Sequence, residues 1–242
     1  MKPRKFAYLA HRWLALFIAL QLLAWSVGGF TFSVLDIRDV RGESAAAMRP
    51  PRPLDLDALP APVADACRSL DLPPVARAEL IDRGLGPRWE LRDEGNRLAA
   101  LLLPDGRTAP PLTRDDAERI ALDDLLEPAA VRAARLIDAD PPTEYREKPL
   151  PAWQVVFERS DAVRVYVHAG TGEIAARRNR AWRTFDFFWM LHTMDYQTRD
   201  DFNHPLLTIA SLLAVATAAT GLSLWAWRLL PSARRQRTAM AV

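Results

Sequence analysis

Two uncharged apolar stretches near the ends of the chain dominate its pattern of hydrophobic and polar positions. The first runs from Trp13 to Leu35 and the second from Pro205 to Trp227, and neither contains a charged side chain. At 1.5 Å per residue, a helix of this length is about 34 Å long, which is enough to cross the roughly 30 Å hydrocarbon core of a bilayer. The pattern therefore predicts two transmembrane helices.

Basic residues next to these stretches predict their orientation. They precede the first stretch at Lys2, Arg4, Lys5 and Arg12 and follow the second at Arg228, Arg234, Arg235 and Arg237. Because Lys and Arg flanks stay in the cytoplasm, we predict an N-in, C-in topology with residues 36–204 outside. A cleaved signal peptide shares the basic start, but its apolar core is only about 7–15 residues long, so we favour a retained span.

The region between the spans shows a linker followed by an internal repeat. Residues 36–53 contain Gly, Ser and Pro without apolar periodicity, which is typical of a linker. The first copy has a proline-interrupted helix entry at 55–70 and strands at Val75–Ile81, Arg88–Arg92 and Arg97–Leu103. The second has a helix after Thr113 and strands at Val131–Ile137, Trp153–Glu158, Ala162–His168 and Glu173–Ala176. The sequence thus predicts an α+β fold of small antiparallel sheets between two transmembrane helices.

The second copy carries the clearest periodic signals. Thr113 followed by Asp116 indicates a helix N-cap, and an apolar stripe at helical spacing follows it, formed by Ala117, Ile120, Ala121 and Leu125. From Val163 to His168 apolar and polar residues alternate strictly, with the valines on one side and Arg164, Tyr166 and His168 on the other. This alternation predicts a strand with one buried face.

Composition excludes several classes of protein. A net charge of +2, with 26% charged residues, gives no global attraction to nucleic acid. The single Cys67 excludes an intramolecular disulfide. We interpret the paired acids at 115–116 and 123–124 as solvated helix surface, and four arginines at 177, 178, 180 and 183 as a basic patch for lipid headgroups. No catalytic residue and no metal site is predicted.

Residues within and beside the spans add two expectations. At equal depth in antiparallel helices, Gln21 is expected to form a hydrogen bond with Thr217 or Thr220. The aromatic segment from Trp182 to Leu191 is too short to span and is expected to lie in the membrane interface as an anchor.

Four motifs resemble the PepSY-associated transmembrane family of bacteria. They are HRWLAL near the start, PLPAWQVVF, VRVYVHAGTGEIAARRNR, and FWMLHTMDYQTRDDFNHPLL before the last span. The resemblance covers nearly the whole chain and implies domains made of a helix on a small antiparallel sheet. It implies either an inhibitory or regulatory module or a part of an inner-membrane reductase for ferric siderophores. An Asp commonly stands in the family where this chain has His168.

The resemblance to reductases also implies haem b as a cofactor. Imidazole is a usual axial ligand of haem, so His11, His192 and His204 are the candidate cofactor-binding residues. His11 and His204 belong to opposite ends of the spans, about 30 Å apart, and are not expected to hold one iron within a subunit. For each histidine the alternative is an interfacial residue that forms hydrogen bonds.

The predicted function is that of a periplasmic PepSY-like binding, regulatory or accessory subunit, and a haem-containing electron-transfer protein is the alternative. The predicted partners are the lipid bilayer, a membrane or periplasmic protein, and a second copy in a homodimer. The predicted order is cytoplasmic N-terminus 1–12, transmembrane helix 13–35, linker 36–53, repeats 54–111 and 112–180, interfacial segment 181–203, transmembrane helix 204–228 and basic cytoplasmic tail 229–242.

Overall fold

The computed structural model of the chain describes residues 3–47, 63–70, 72 and 74–229. Three predicted features lie outside the described residues: the linker from 48 to 53, the helix entry up to 62, and the basic tail from 230 onward. The chain divides into two compact units, a helical unit of Met1–Leu35 with Thr184–Val242 and a sheet unit of Asp36–Arg183.

Six α-helices and seven strands make up the described chain. The helices are α1 (Pro3–Val34), α2 (Ile37–Val40), α3 (Val63–Ser69), α4 (Arg114–Asp124), α5 (Arg180–Thr193) and α6 (Pro205–Leu229). The strands are β1 (Arg77–Asp82), β2 (Pro87–Arg92), β3 (Leu98–Leu102), β4 (Val131–Ile137), β5 (Ala152–Phe157), β6 (Arg164–His168) and β7 (Ile174–Arg178).

In the helical unit, α1 and α6 pack as an antiparallel pair. Ile18 is buried against Ala210 and Met194, while His11, seven residues earlier on α1, contacts Thr217 further along α6. Most other apolar side chains of the pair face outward, and Leu20 is 80% exposed. Both helices are long and apolar enough to cross a membrane, so this exposed surface is the one that lipid covers.

The aromatic helix α5 packs along the second half of α1. The rings of Phe32 and Phe185 are 4.7 Å apart, and a Cβ at Gly28 would lie 3.8 Å from Cβ of Phe188. Gln21 donates a hydrogen bond from Nε2 to the carbonyl of Leu191 at 2.9 Å. Within the helical unit, α1 therefore packs against α6 as far along as Trp25 and contacts α5 from Gln21 to Phe32.

The sheet unit contains two antiparallel meanders, ordered β1-β2-β3 and β4-β5-β6-β7. In the second sheet Gln154 stands opposite both Arg135 and Tyr166, which sets the register across three strands. Together with the two apolar helices, these sheets confirm the predicted α+β class.

Helix α4 covers one face of the larger sheet. Thr113 and Asp116 form the predicted capping box, with the Thr113 side chain accepting from the Asp116 amide and the Asp116 carboxylate accepting from the Thr113 amide. The predicted stripe is buried and packs on valines of β5 and β6; its members are Ala117, Ile120, Ala121 and Leu125. The sequence prediction for this helix is confirmed.

The opposite face of this sheet is buried as well, which corrects the prediction of one buried face. Tyr166 is fully buried with Tyr145, Ala152 and Ala176. The cover is the segment between β4 and β5, which folds back through a 3-10 turn at Thr143–Tyr145. Alternation within one strand cannot reveal a cover that comes from a distant loop.

The residues directly after α1 are ordered on the sheet unit. The Ala47 amide donates to the Asp124 carbonyl at 2.7 Å, and Asn179 Nδ2 donates to the Asp39 carbonyl at 2.6 Å. Gly42 has a φ of 71°, and a Cβ at this position would lie only 2.8 Å from Cβ of Arg177. The described part of the predicted linker, up to residue 47, is thus hydrogen-bonded within the sheet unit, and position 42 requires a glycine.

Candidate functional site

A buried carboxylate, Glu144, organises the covered face of the larger sheet. It lies in the 3-10 turn and accepts hydrogen bonds from Arg164 at 2.8 Å, Tyr166 at 2.6 Å and Arg183 at 2.8 Å. Its backbone carbonyl accepts from Arg178 at 2.6 Å. We call these five residues the Glu144 network. They join the covering loop, β6, β7 and the first turn of α5.

The Glu144 network surrounds one carboxylate with three arginines and a tyrosine hydroxyl. Burial disfavours ionisation of Glu144, but the hydrogen bonds from Arg183, Tyr166 and Arg164 outweigh it, so the pKa of Glu144 lies below its usual range. Burial together with the neighbouring carboxylate raises the pKa of Tyr166 well above its ordinary value. The phenol therefore remains a proton donor to an ionised Glu144 at neutral pH.

Two stacked tyrosines complete this face. The rings of Tyr145 and Tyr166 are 4.4 Å apart and nearly parallel, and the Tyr145 hydroxyl donates to the Pro149 carbonyl at 2.8 Å. Burial raises the pKa of Tyr145 to about 12. Each polar atom of the pair is satisfied within the sheet unit, so the arrangement stabilises the fold and offers no reactive group to a substrate.

The arginines predicted as a headgroup patch are largely used inside the sheet unit. Arg177 forms a bidentate salt bridge with Asp124, with hydrogen bonds of 2.6 and 2.5 Å. Arg183 belongs to the Glu144 network. The Arg178 guanidinium lies 4.3 Å from the centre of the Trp182 ring. The sequence did not reveal these pairs because the acidic partners of Arg177 and Arg183 are 53 and 39 residues away along the chain.

His168 stabilises the turn between β6 and β7. Its Nδ1 accepts a hydrogen bond from the Thr171 amide at 3.0 Å and so closes the turn between β6 and β7. Burial lowers its pKa, which favours the neutral ring that can accept this bond. An Asp side chain at the same place can accept the same amide, so either residue type serves the turn.

Strand β4 forms an open edge of the larger sheet. Among the described strands it pairs only with β5, and most of its residues are exposed. Leu136 is 48% exposed, and Arg132 and Arg135 are exposed beside it. An edge strand of seven residues presents unpaired backbone N–H and C=O groups, which is the geometry that an additional strand can use.

His11 reaches the middle of α6 in the helical unit. Its Nδ1 lies 3.0 Å from the Thr217 carbonyl oxygen and 3.1 Å from Thr220 Oγ1. Gly221 makes room for the ring, because a Cβ there would lie 3.0 Å from Cε1 of His11. The expected bond of Gln21 to these threonines is wrong, since α1 is shifted along α6 so that His11 occupies their level.

The other two candidate histidines lie in different surroundings. His192 is exposed on α5, with its ring stacked 6.1 Å from Trp189 and beside Phe32. His204 precedes α6, and its Nδ1 accepts from the Leu206 amide at 3.3 Å, as a helix-capping group does. In the described part of the chain, no hydrogen bond or ring contact joins His192 to His204.

The loop between α5 and α6 is built around Asp195. This carboxylate accepts from the amides of Gln197, Thr198, Asp200 and Asp201 and from the Thr198 hydroxyl. The bond from Thr198 is the main reason that the pKa of Asp195 is strongly lowered, and the backbone amides add to the effect. Eleven residues, 194–204, lie between the two helices, and Asp195 holds those up to residue 201 in place through these bonds.

None of the described residues forms a group of three or more His, Cys, Asp or Glu side chains suited to a metal ion. The structure does not bring the three predicted haem ligands together, and their role stays a prediction. Sequence reasoning missed Glu144 and Asp195. The one available signal was the high local density of Asp, Glu and Arg in segments that otherwise resemble solvated loops.

These features define a membrane protein with two membrane-crossing helices and an intervening α+β unit of two small antiparallel sheets. The family model of the PepSY-associated TM region matches residues 8–240, and the chain belongs to this family. No curated protein and no solved structure matches the chain.

Proposed function

We propose that the chain is an accessory or regulatory subunit of the bacterial inner membrane whose sheet unit binds an extended segment of a partner protein outside the cytoplasm. The observation that carries the proposal is the open, exposed edge of β4. Backbone bonds along such an edge supply affinity, and alternate side chains supply selectivity.

The side chains on β4 indicate the kind of segment that would bind. Arg132 and Arg135 place two positive charges on an edge that otherwise carries Val, Ala, Leu and Ile. Charges on an edge discourage pairing with arbitrary strands and favour a strand of complementary charge. We therefore propose a partner segment that alternates acidic and apolar residues.

Strand β6 lies inside the sheet and is not itself a docking edge. It is hydrogen-bonded to β5 on one side and β7 on the other, and Tyr166 at its centre is fully buried. A crosslinking group at Tyr166 would thus reach only the core. The test of the proposal belongs on β4.

A photo-crosslinker at Leu136, in the full chain in its native membrane, is expected to capture one partner polypeptide through an extended acidic segment. The matched control is Leu126, which is 62% exposed but lies beyond α4 and outside the sheet edge. Mass spectrometry of the adduct identifies the segment. The same adduct from both positions, or self-crosslinks alone, would remove the support for β4 as the docking edge.

The proposed orientation predicts a definite reporter pattern. A reporter that works only in the cytoplasm is expected to be active when fused after Val242. One that works only outside is expected to be active when inserted between residues 48 and 53. Insertion before Ala47 is avoided, because that segment is bonded to the sheet unit. The opposite pattern of activities would contradict the N-in, C-in orientation.

A further inference from the structure

A cleft with a strongly basic lining lies between the N-terminal end of α1 and the C-terminal end of α6. Its volume is about 710 Å³. We call it the basic cleft; it is lined by Arg4, Lys5, Tyr8, His11, Arg12, Leu224, Trp225 and Arg228. Four of these eight residues are Lys or Arg, and none is acidic.

The sequence provides no nearby acid to balance these charges. Residues 1–35 and 202–242 contain no Asp or Glu at all, although they include the whole of α1 and α6. Asp36 and Asp201 are the first acids along the chain, and they follow the opposite end of α1 and precede the opposite end of α6. No Asp or Glu side chain of these segments can therefore neutralise the basic cleft.

The offset between the two helices places this charge beside apolar surface. His11 bonds to Thr217 and Thr220, so its neighbour Arg12 lies beside the same part of α6. At least seven residues of α6 separate that part from Arg228. At 1.5 Å per residue this is a distance of about 10 Å or more. The cleft thus extends from the charged helix ends into the level of the uncharged α6 sequence.

Apolar and aromatic groups continue the cleft along the helix pair. Leu16, Phe17, Leu222 and Trp225 are each more than 60% exposed and belong to the same halves of α1 and α6. The Arg12 guanidinium lies 5.4 Å from the centre of the Trp13 ring. A ligand that fits such a site has an anionic head and a long apolar tail.

We propose that the basic cleft binds an anionic phospholipid, with its phosphate between Arg12 and Arg228 and an acyl chain on the exposed apolar surface of α1 and α6. Guanidinium groups bind phosphate oxygens through paired charge-assisted hydrogen bonds. The aromatic rings of Tyr8 and Trp225 suit the level of the lipid headgroups. A free phosphate ion would use the arginines but not the apolar continuation.

The test measures lipid retention by the full chain, purified in a neutral detergent, with native mass spectrometry. Phosphatidylglycerol and phosphatidylcholine of equal chain length are the probes, and phosphatidylglycerol is expected to bind preferentially. The double change Arg12→Gln with Arg228→Gln is expected to weaken phosphatidylglycerol binding about thirty-fold, from the loss of two cations at an anionic surface. Six other Lys and Arg residues, in residues 1–11 and 229–242, remain to direct insertion.

Two controls separate the proposal from its competitors. The double change Arg41→Gln with Arg107→Gln removes the same charge from exposed positions of the sheet unit and is expected to leave lipid binding unchanged. Arg12→Lys keeps the charge and is expected to bind within about three-fold of the native chain. Equal retention of both lipids, equal loss in the control, or full displacement by millimolar inorganic phosphate would overturn the proposal.

Discussion

Replacing Glu144 with alanine is expected to lower the free energy of unfolding of the sheet unit by about 3 kcal/mol, at the low end of the range for breaking a buried ion pair. The change leaves Arg164, Arg183 and the Tyr166 hydroxyl without their shared acceptor. The value is at the low end because the two arginine side chains are 38% and 30% exposed and can turn toward water.

Urea unfolding of the full chain in detergent, followed by the β-sheet signal in circular dichroism, measures this loss. Glu147 is the matched control, since it lies in the same loop but is exposed. Glu147→Ala is expected to change stability by less than about 0.5 kcal/mol. Equal midpoints for the two variants would show that the Glu144 network does not hold the covering loop.

The same carboxylate gives the stability a definite dependence on pH. Because the pKa of Glu144 is lower in the folded chain than in the unfolded chain, its contribution is fully present above the unfolded pKa and is lost as the pH falls through the folded pKa. Glu144→Ala is therefore expected to differ most from the native chain at neutral pH. The difference is expected to shrink steadily below about pH 4, in the range where the unfolded carboxyl titrates.

Replacing Gly42 with alanine is expected to destabilise the sheet unit by about 2–3 kcal/mol. About 1–2 kcal/mol of this is the cost of a side chain in the left-handed backbone region, because φ is 71°. The rest comes from the new Cβ, which would meet Cβ of Arg177 at 2.8 Å. Arg177 cannot easily move away, since its guanidinium is paired with Asp124.

Gly86 separates these two costs. It also has a positive φ, of 85°, but a Cβ at this position meets nothing within 4 Å. Gly86→Ala is thus expected to lose only the backbone part, about 1–2 kcal/mol. Hydrogen exchange supplies a local readout: the Ala47 amide, bonded to Asp124, is expected to lose protection in Gly42→Ala alone. Equal losses of protection at the Ala47 amide in both variants would mean that residues 42–47 accommodate the new Cβ without strain.

Local patterns predicted much of this fold. The capping box of α4, its buried stripe and the seven strands all follow from signals within ten or so neighbouring residues. The span predictions rest on the same kind of signal, because length and the absence of charge are read directly from Trp13–Leu35 and Pro205–Trp227.

Long-range pairing could not be predicted in the same way. The Glu144 network joins residues up to 39 positions apart, and nothing in a polar loop shows which carboxylate becomes buried. The prediction of the register between α1 and α6 failed for another reason. Two uncharged stretches of equal length have no marker of their register. Matching their ends predicted Gln21 as the partner of Thr217. In the structure Ile18 packs on Ala210, and this register places His11 beside Thr217 instead.

The shift between α1 and α6 has a consequence for the membrane itself. Trp13 begins the uncharged part of α1 near the level of Thr217, yet the uncharged part of α6 continues ten residues further, to Trp227. The two apolar lengths are therefore staggered by about 15 Å, and their combined height exceeds the roughly 30 Å of a bilayer core. A bilayer of ordinary thickness therefore covers only part of this height. Helix α5 packs on the second half of α1, so protein contacts replace part of the lipid cover there. Tilt of the pair reduces the remaining mismatch, and the pair is therefore expected to respond to bilayer thickness through its tilt.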